Sequence, residues 1–509
     1  MKKIKKVLIS VYNKSNIIPL AKLLHEKNIE IISTGGTKKI LEKNHIPVQS
    51  VENITEYPSI LGGRVKTLHP KIFGGLLSRN DNENDVADLA KFNINTIDML
   101  VVDLYPFQET LKQTSNHDEI IEKIDIGGVS LIRAGAKNYR EILVIPSSEE
   151  IIEVIELINN QHGCSSLQDR LYFAKQSFNI TANYELSISN YFSNKIEPKS
   201  TLPTKFQHSI IRSKKLRYGE NPHQEGIYYG ELSELFEQIN GKELSYNNLL
   251  DIDSAIQLID EFKEPCFGVF KHNNACGFSA DNNISKSWDK ALAGDPVSAF
   301  GGVLITNDNI NVEVANKIHQ LFFEILIAKS FDNEALDLLK SKKNRIILKK
   351  KNAILEEVSF RSILNGVLCQ KRDHLNDEDD MQLVSKLNIS EMQMRDLLFA
   401  SKICKHTKSN AIVLVKNKQL LGSGCGQTSR VDALKQAIIK AKNFGFSLDN
   451  AVMASDAFFP FPDCVEIAGK AGISAIIQPG GSKNDQLSID YCNENNIAMV
   501  LTGNRHFKH

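Results

Sequence analysis

Hydrophobic and polar positions switch between two periods from the first residues onward. Val7 to Val11 is a short apolar run of strand character, and Asn16 to Lys27 sets Ile17, Leu20, Ala21 and Leu24 at helical spacing. Ile29 to Ile32 predicts a second strand, which ends at Ser33-Thr34-Gly35-Gly36-Thr37. Ile97 to Leu104 is nearly continuous in apolar residues, as a strand buried on both faces requires. This alternation predicts an α/β domain with a parallel sheet. Residues 166–192 predict a long helix, and the proline-containing polar stretch 195–208 predicts a linker, so two domains are expected, 1–198 and 199–509. Beyond the linker the alternation resumes, with strands expected near 266–271, 302–306, 410–415, 419–422, 450–454, 474–477 and 497–501. Two segments, Gly294-Asp-Pro-Val-Ser-Ala-Phe-Gly-Gly302 and Ser455-Asp-Ala-Phe-Phe-Pro460, echo each other beside strands and hint at a duplicated unit.

Composition narrows the class without changing that picture. A chain of 509 residues with 42% hydrophobic and 24% charged residues is neither a disulfide scaffold nor a disordered protein. Basic and acidic residues balance at 61 each, which removes the overall basic character that favours non-specific nucleic-acid binding. No apolar run approaches the roughly 18 residues of a membrane span. The basic start, Met1 to Lys6, precedes only a short apolar stretch and reads as the edge of a first strand. Eight scattered cysteines without a C-x-x-C pair fit a reduced, cytoplasmic protein.

Several segments concentrate chemistry. Between a strand and a helix, Ser33, Thr34, Gly35, Gly36 and Thr37 offer backbone N–H groups and hydroxyls to an anion, although a glycine turn with a Thr cap looks the same. Ser10 and Lys14 end the preceding strand, and adjacent strand ends of a parallel sheet face one ligand. Gly62-Gly63-Arg64-Val65-Lys66-Thr67-Leu68-His69-Pro70 is either a binding loop or a solvated basic loop. Asp125-Ile126-Gly127-Gly128 and Ala136-Lys137-Asn138 bracket a helical stretch. In the second domain, Leu216-Arg217-Tyr218-Gly219-Glu220-Asn221-Pro222-His223-Gln224 is a turn-forming segment. Lys271-His272-Asn273-Asn274-Ala275-Cys276-Gly277 follows a strand, and His272 there suits either a general base or a structural histidine. Neither H-E-x-x-H nor H-x-E with P-C-x-x-C occurs, so no zinc hydrolase or zinc deaminase site can be assembled, and no metal is expected.

Taken together and in order, these motifs, with Leu104-Tyr105-Pro106-Phe107, Ser455-Asp-Ala-Phe-Phe-Pro-Phe461 and Arg505-His506-Phe507, make the chain closely resemble the bifunctional AICAR formyltransferase and IMP cyclohydrolase family over essentially its full length. AICAR is phosphoribosylaminoimidazolecarboxamide. The resemblance implies a methylglyoxal-synthase-like parallel-sheet domain followed by a duplicated cytidine-deaminase-like α/β domain without zinc. It implies a homodimer with transferase sites at the subunit interface, and 10-formyltetrahydrofolate as a cosubstrate with no tightly bound cofactor. Nucleic acid and membrane are not expected partners. For formyl transfer it implies His272 as base, Lys271 as electrostatic partner and Asn410 as a donor to the reacting groups. Arg217, Tyr218, His223, Asn248, Arg430 and Arg505 would hold substrate, and Phe458, Phe461 and Asp463 would form the folate side. For cyclisation of formyl-AICAR to IMP it implies Lys66, Tyr105, Asp125 and Lys137 as catalytic groups. Ser10, Lys14, Ser33, Thr34, Gly35, Gly36, Thr37, Arg64, Thr67, Gly127 and Gly128 would surround the phosphate and ring. Three departures stand out. Tyr12-Asn13 replaces a frequent Ser-Asp, and Asp103 replaces a frequent Asn, which raises the alternative of a transferase with a degraded cyclohydrolase. Ala275 replaces a proline and is expected to loosen the His272 loop.

Overall fold

A computed structural model describes residues 1–196, 202 and 204–509. The boundary expected at 198/199 falls outside the described residues; the chain separates into two compact units, Met1–Ile211 and Arg212–His509.

The first unit carries β1 (Lys6–Ser10), α1 (Ile17–Glu26), β2 (Glu30–Ser33), α2 (Gly35–Lys43), β3 (Gln49–Ser50), α3 (Pro70–Leu77), β4 (Met99–Val102), α4 (Gly127–Lys137), β5 (Leu143–Ile145), α5 (Ile151–Asn160) and α6 (Leu167–Ile196). Its sheet runs β3-β2-β1-β4-β5, parallel throughout. Val7, Leu8 and Ile9 and all of β4 are buried because helices cover both faces. Chain order reverses at β1 and β4, and in open parallel sheets ligands bind outside the carboxyl ends of the strands at that point. Those ends are Ser10 and Val102.

The second unit holds one sheet of twelve strands. After the edge strand β6 (Phe236–Asn240) come α7 (Tyr246–Ile259), β7 (Cys266–Lys271), β8 (Asn274–Ala280), α8 (Ile284–Gly294), β9 (Val303–Thr306), α9 (Val312–His319), β10 (Ile325–Ala328), α10 (Asn333–Lys340) and β11 (Ile346–Lys350). A separate hairpin, β12 (Val358–Ile363) with β13 (Gly366–Lys371), and the edge strand β14 (Gln382–Leu383) lead into the second half. That half comprises α11 (Glu391–Lys405), β15 (Ile412–Lys416), β16 (Gln419–Gly424), α12 (Arg430–Asn443), β17 (Ala451–Ser455), α13 (Asp463–Ala471), β18 (Ile473–Gln478), α14 (Asp485–Glu494) and β19 (Ala498–Leu501).

The halves repeat one topology. Strand order is β8-β7-β9-β10-β11 in the first and β16-β15-β17-β18-β19 in the second, joined by the pair Ser279 and Gln419. In each, the first two strands form a hairpin, the third runs antiparallel to the first, and the last three are parallel. Helices α7 and α11 cover one face over a shared core, and the other helices cover the opposite face in two separate cores. The duplication is real, but the short echo does not mark it. Residues 294–302 precede the third strand of their half, whereas 455–460 follow the third strand of theirs. Among the described residues no helix is long and apolar enough to cross a membrane.

Candidate active sites

At the switch point of the first unit, Ser10 and Thr34 hydroxyls meet at 2.9 Å, because β1 and β2 pair Ile9 with Ser33. Lys14 lies beside Gly36, where a Cβ would stand 3.8 Å from its Cε. The two loops therefore do face one place. Ser33 and Thr37 take a different part from the one expected: Ser33 is fully buried and donates to the Ile9 carbonyl, and Thr37 donates to the Val11 carbonyl. The Ser33 hydroxyl ties β2 to β1 and that of Thr37 ties α2 to the residue after β1, leaving Ser10, Thr34 and the N–H groups of the exposed Gly35 and Gly36 to a ligand.

Asp103, at the end of β4, accepts hydrogen bonds from the backbone N–H groups of Tyr12 and Asn13. Lys14 in turn donates to the Tyr12 carbonyl at 2.9 Å. The departures at 12, 13 and 103 thus meet in one place, joined through the backbone of Tyr12 and Asn13. The Tyr12 and Tyr105 rings meet edge to face at 5.6 Å, and the Lys123 ammonium stands 5.6 and 5.8 Å from their centroids. Asp125 accepts from the Gly128 N–H at 2.7 Å, and a Cβ on Gly128 would collide with that carboxylate. Burial pushes the Asp125 carboxyl up, against the pull of the Gly128 and Tyr105 N–H groups and the Lys66 ammonium. Burial, Asp125 and Tyr12 push the Tyr105 phenol up, so it stays protonated. Thr67 lies against Gly127. Arg64 is exposed and paired with Glu122. Lys66, Tyr105 and Asp125 come together, and Lys137 closes α4, the helix that Gly127 opens.

In the second unit Lys271 ends β7, and His272 and Asn273 form the two-residue turn to β8 with φ of 51° and 65°. Both central residues of such a hairpin turn need positive φ, which Asn and His tolerate better than most residues. Asp251 of α7 accepts from the Asn273 N–H at 2.7 Å. The Asn274 amide donates to the His272 carbonyl at 2.9 Å and accepts from the Lys408 N–H at 3.2 Å, tying the turn to the segment that carries Asn410. Ala275, expected to loosen this loop, is buried and paired with Phe270 in the hairpin. Lys271 donates to the Phe300 carbonyl at 2.8 Å, which brings the 295–302 motif to the same edge.

Arg430 reaches Asn410 Oδ1 at 2.9 Å, Asp456 Oδ1 at 3.0 Å and the Phe458 carbonyl at 3.2 Å. The Asn410 amide N–H groups go to the carbonyls of Gln427 and Thr428. Both ends of Asn410 are engaged, and its oxygen orients Arg430. Asn248 closes the capping box of α7 with Ser245 and donates to Glu324 at 3.1 Å. Arg217 lies 4.8 Å over the Tyr218 ring, and their loop is held to α7 by Asn247, which donates to the Glu220 carbonyl. His223, Phe458, Phe461 and Arg505 are exposed, and Asp463 opens α13. Sequence reasoning missed Asp251, Asn274, Asp456 and Lys123. Among the described residues no three His, Cys, Asp or Glu side chains are placed to hold a metal ion.

A parallel sheet with two loops facing its switch point, followed by a duplicated sheet with a Lys-His hairpin turn, defines a protein of two units with a candidate site in each. Residues 16–130 match the MGS-like domain, and residues 135–440 match the AICARFT/IMPCHase bienzyme. The chain is 52% identical over its whole length to a bifunctional purine biosynthesis protein PurH of Bacteroides thetaiotaomicron, covering 99% of that protein. It is 46% identical to one of Caldicellulosiruptor saccharolyticus and 45% identical to one of Aquifex aeolicus, in both cases over 99% of this chain and 100% of the relative. The chain belongs to the AICARFT/IMPCHase bienzyme family, and it is an AICAR formyltransferase and IMP cyclohydrolase.

Proposed function

We propose that the second unit transfers a formyl group from 10-formyltetrahydrofolate to the amine of AICAR, and that the first unit closes formyl-AICAR to IMP with loss of water. The observation that carries the transferase assignment is Asn274, whose side chain joins the His272 turn to the Asn410 segment. The AICAR amine is conjugated with its ring and weakly nucleophilic. His272 removes its proton as nitrogen attacks the formyl carbon, Lys271 stabilises the charge that grows on the formyl oxygen, and the folate nitrogen leaves. Arg430, held by Asn410 and Asp456, and the exposed Arg217 and Arg505 hold substrate, with phosphate the natural target of a guanidinium. Phe458, Phe461 and Asp463 receive the folate.

In the first unit Ser10, Lys14, Thr34 and the Gly35–Gly36 amides take the phosphate. The protonated Tyr105 phenol donates to the formyl oxygen, Asp125 manages the carboxamide proton, and Lys66 supplies counter-charge. Lys66→Ala is therefore expected to slow cyclisation by at least about a hundredfold with formyl transfer unchanged; equal loss of both reactions in a folded variant would contradict the assignment.

We also place the enzyme in the cytoplasm as a homodimer without a tightly bound cofactor. All eight cysteines are free thiols. Among the described residues the β12–β13 hairpin pairs with no other strand and exposes Ile363, Leu364, Val367 and Leu368, and a lone two-stranded hairpin is marginal in water. Sedimentation at assay concentration should give twice the chain mass; a monomer with full transferase activity would contradict the dimeric site.

A further inference from the structure

The last residues of the chain turn alternately outward and inward. Arg505 and Phe507 are exposed and stack at 4.4 Å, while the His506 ring between them is 5% exposed. Both His506 ring nitrogens face carboxylates, Nδ1 to Asp373 at 2.6 Å and Nε2 to Asp377 at 2.9 Å. Only an imidazolium can donate from both.

The surroundings favour that form. Asp373 and Asp377 lie in the segment after β13; Asp377 also accepts from Ser401 of α11. Lys405 of α11 stands 4.0 Å from Asp373 and 2.9 Å from Glu261, beyond the end of α7. Burial opposes the charge on His506, but the hydrogen bonds and charges of Asp373 and Asp377 outweigh it and raise the group to about 9. The His506 N–H donates to the Asp456 carbonyl at 3.0 Å, and Asp456 is the partner of Arg430. Farther along, Lys508 and Ser409 exchange two hydrogen bonds, one residue from Asn410.

We propose that His506 is a positioning residue for formyl transfer: a doubly donating imidazolium that pins the C-terminal segment, so that Arg505 faces substrate and Asp456 stays aligned beneath Arg430. The inference rests on the assignment of Arg430 and Arg505 to substrate. A neutral His506 keeps one donor and turns a lone pair toward the other carboxylate, which repels it and frees the segment. Substrate affinity for transfer should then weaken as pH rises through the ring's titration, while cyclisation in the other unit does not follow it.

The test measures the KM for AICAR against pH, with cyclisation of supplied formyl-AICAR as the control for folding and NMR titration of the His506 ring in the same protein. The wild type should show KM rising at the ring's midpoint. His506→Gln, which does not titrate there, should raise KM roughly tenfold at neutral pH and abolish that rise. His506→Lys, a cation at the same place, should recover part of the loss. If His506→Gln does not fold, Asp373→Asn at the half-exposed partner serves instead, and should lower the ring's midpoint and the KM midpoint together. A His506→Gln protein with wild-type KM at every pH, or an Asp373→Asn protein whose ring midpoint shifts while KM does not, would overturn the proposal. Should Arg430→Ala and Arg505→Ala leave the KM unchanged, the substrate assignment itself would fail. The ring titration would still report whether the two carboxylates hold the imidazolium.

Discussion

Asp251 and Asp396 hold equivalent places in the two halves of the duplicated sheet. Asp251 of α7 accepts from the backbone of the β7–β8 turn at Asn273, and Asp396 of α11 accepts from the β15–β16 turn at Asn417 and Lys418, both at 2.7 Å. Both turns have two residues at positive φ. Both hairpins carry a register shift just before the turn, and Gly277 and Gly422 leave room for the carbonyls of Ala291 and Ala437 in the helices packed behind. One turn presents His272 after Lys271, and the other presents Asn417 after Lys416. The carboxylate is a device of the repeated fold, and the chemistry was placed on one copy of it.

That equivalence separates stability from catalysis. Removing either carboxylate takes the acceptor from turn N–H groups that are at most half-buried and should lower stability by about 1 kcal/mol. Asp251→Ala is expected to lower transferase kcat about tenfold as well, because the His272 turn moves, while Asp396→Ala should transfer formyl groups at close to the wild-type rate. Denaturant unfolding and initial rates on the two variants check this.

The clamp of Asp103 on Tyr12 and Asn13 makes a second prediction. Asp103→Ala frees the loop that fixes Lys14, so the KM for formyl-AICAR should rise about tenfold with formyl transfer unaffected. Steady-state cyclisation assays read the effect. Wild-type KM would mean that the loop holds its shape without the carboxylate.

Short apolar runs made β1, β2, β4, β7, β9, β15, β16, β17, β18 and β19 legible in the sequence, and glycine-bearing strand ends marked the first unit's candidate ligand loops. Strand β8 was not legible: Asn274 to Ala280 has no β-branched residue and is a strand because β7 and β16 pair with it on either side. The capping box of α7 was not legible because it uses Asn248 where Glu or Gln is the recognisable partner of Ser245. That the Asn410 oxygen orients Arg430 was not legible, because the contact depends on the fold around both residues. Asp251 and Asp396 could not be matched by eye, since the repeat survives in topology and in single residues whose neighbours differ.

Glu150 gives the first unit a pH dependence. Burial and the neighbouring Glu153 and Glu149 push its carboxyl up to about 7, from an ordinary 4.5. The folded state therefore holds a proton that the unfolded chain has lost between these values, and stability should fall as pH rises from 4.5 to about 7. Glu150→Gln removes that slope and should stabilise the unit at pH 8 by roughly 2 kcal/mol, less than the full shift implies because the residue is only partly buried. Thermal unfolding of both proteins across that range is the check; parallel curves would contradict it.

The central claim is that the two reactions belong to two separate sets of residues, with His272 as the base of formyl transfer. A positioned general base contributes about 10² to 10⁴ in rate. The most direct measurement gives the His272→Ala protein AICAR with 10-formyltetrahydrofolate in one vessel and formyl-AICAR alone in another, and follows product in each. Transfer slowed by about that factor beside wild-type cyclisation to IMP is the predicted result. Transfer at the wild-type rate by the folded variant would contradict the claim and return His272 to a structural role in its turn.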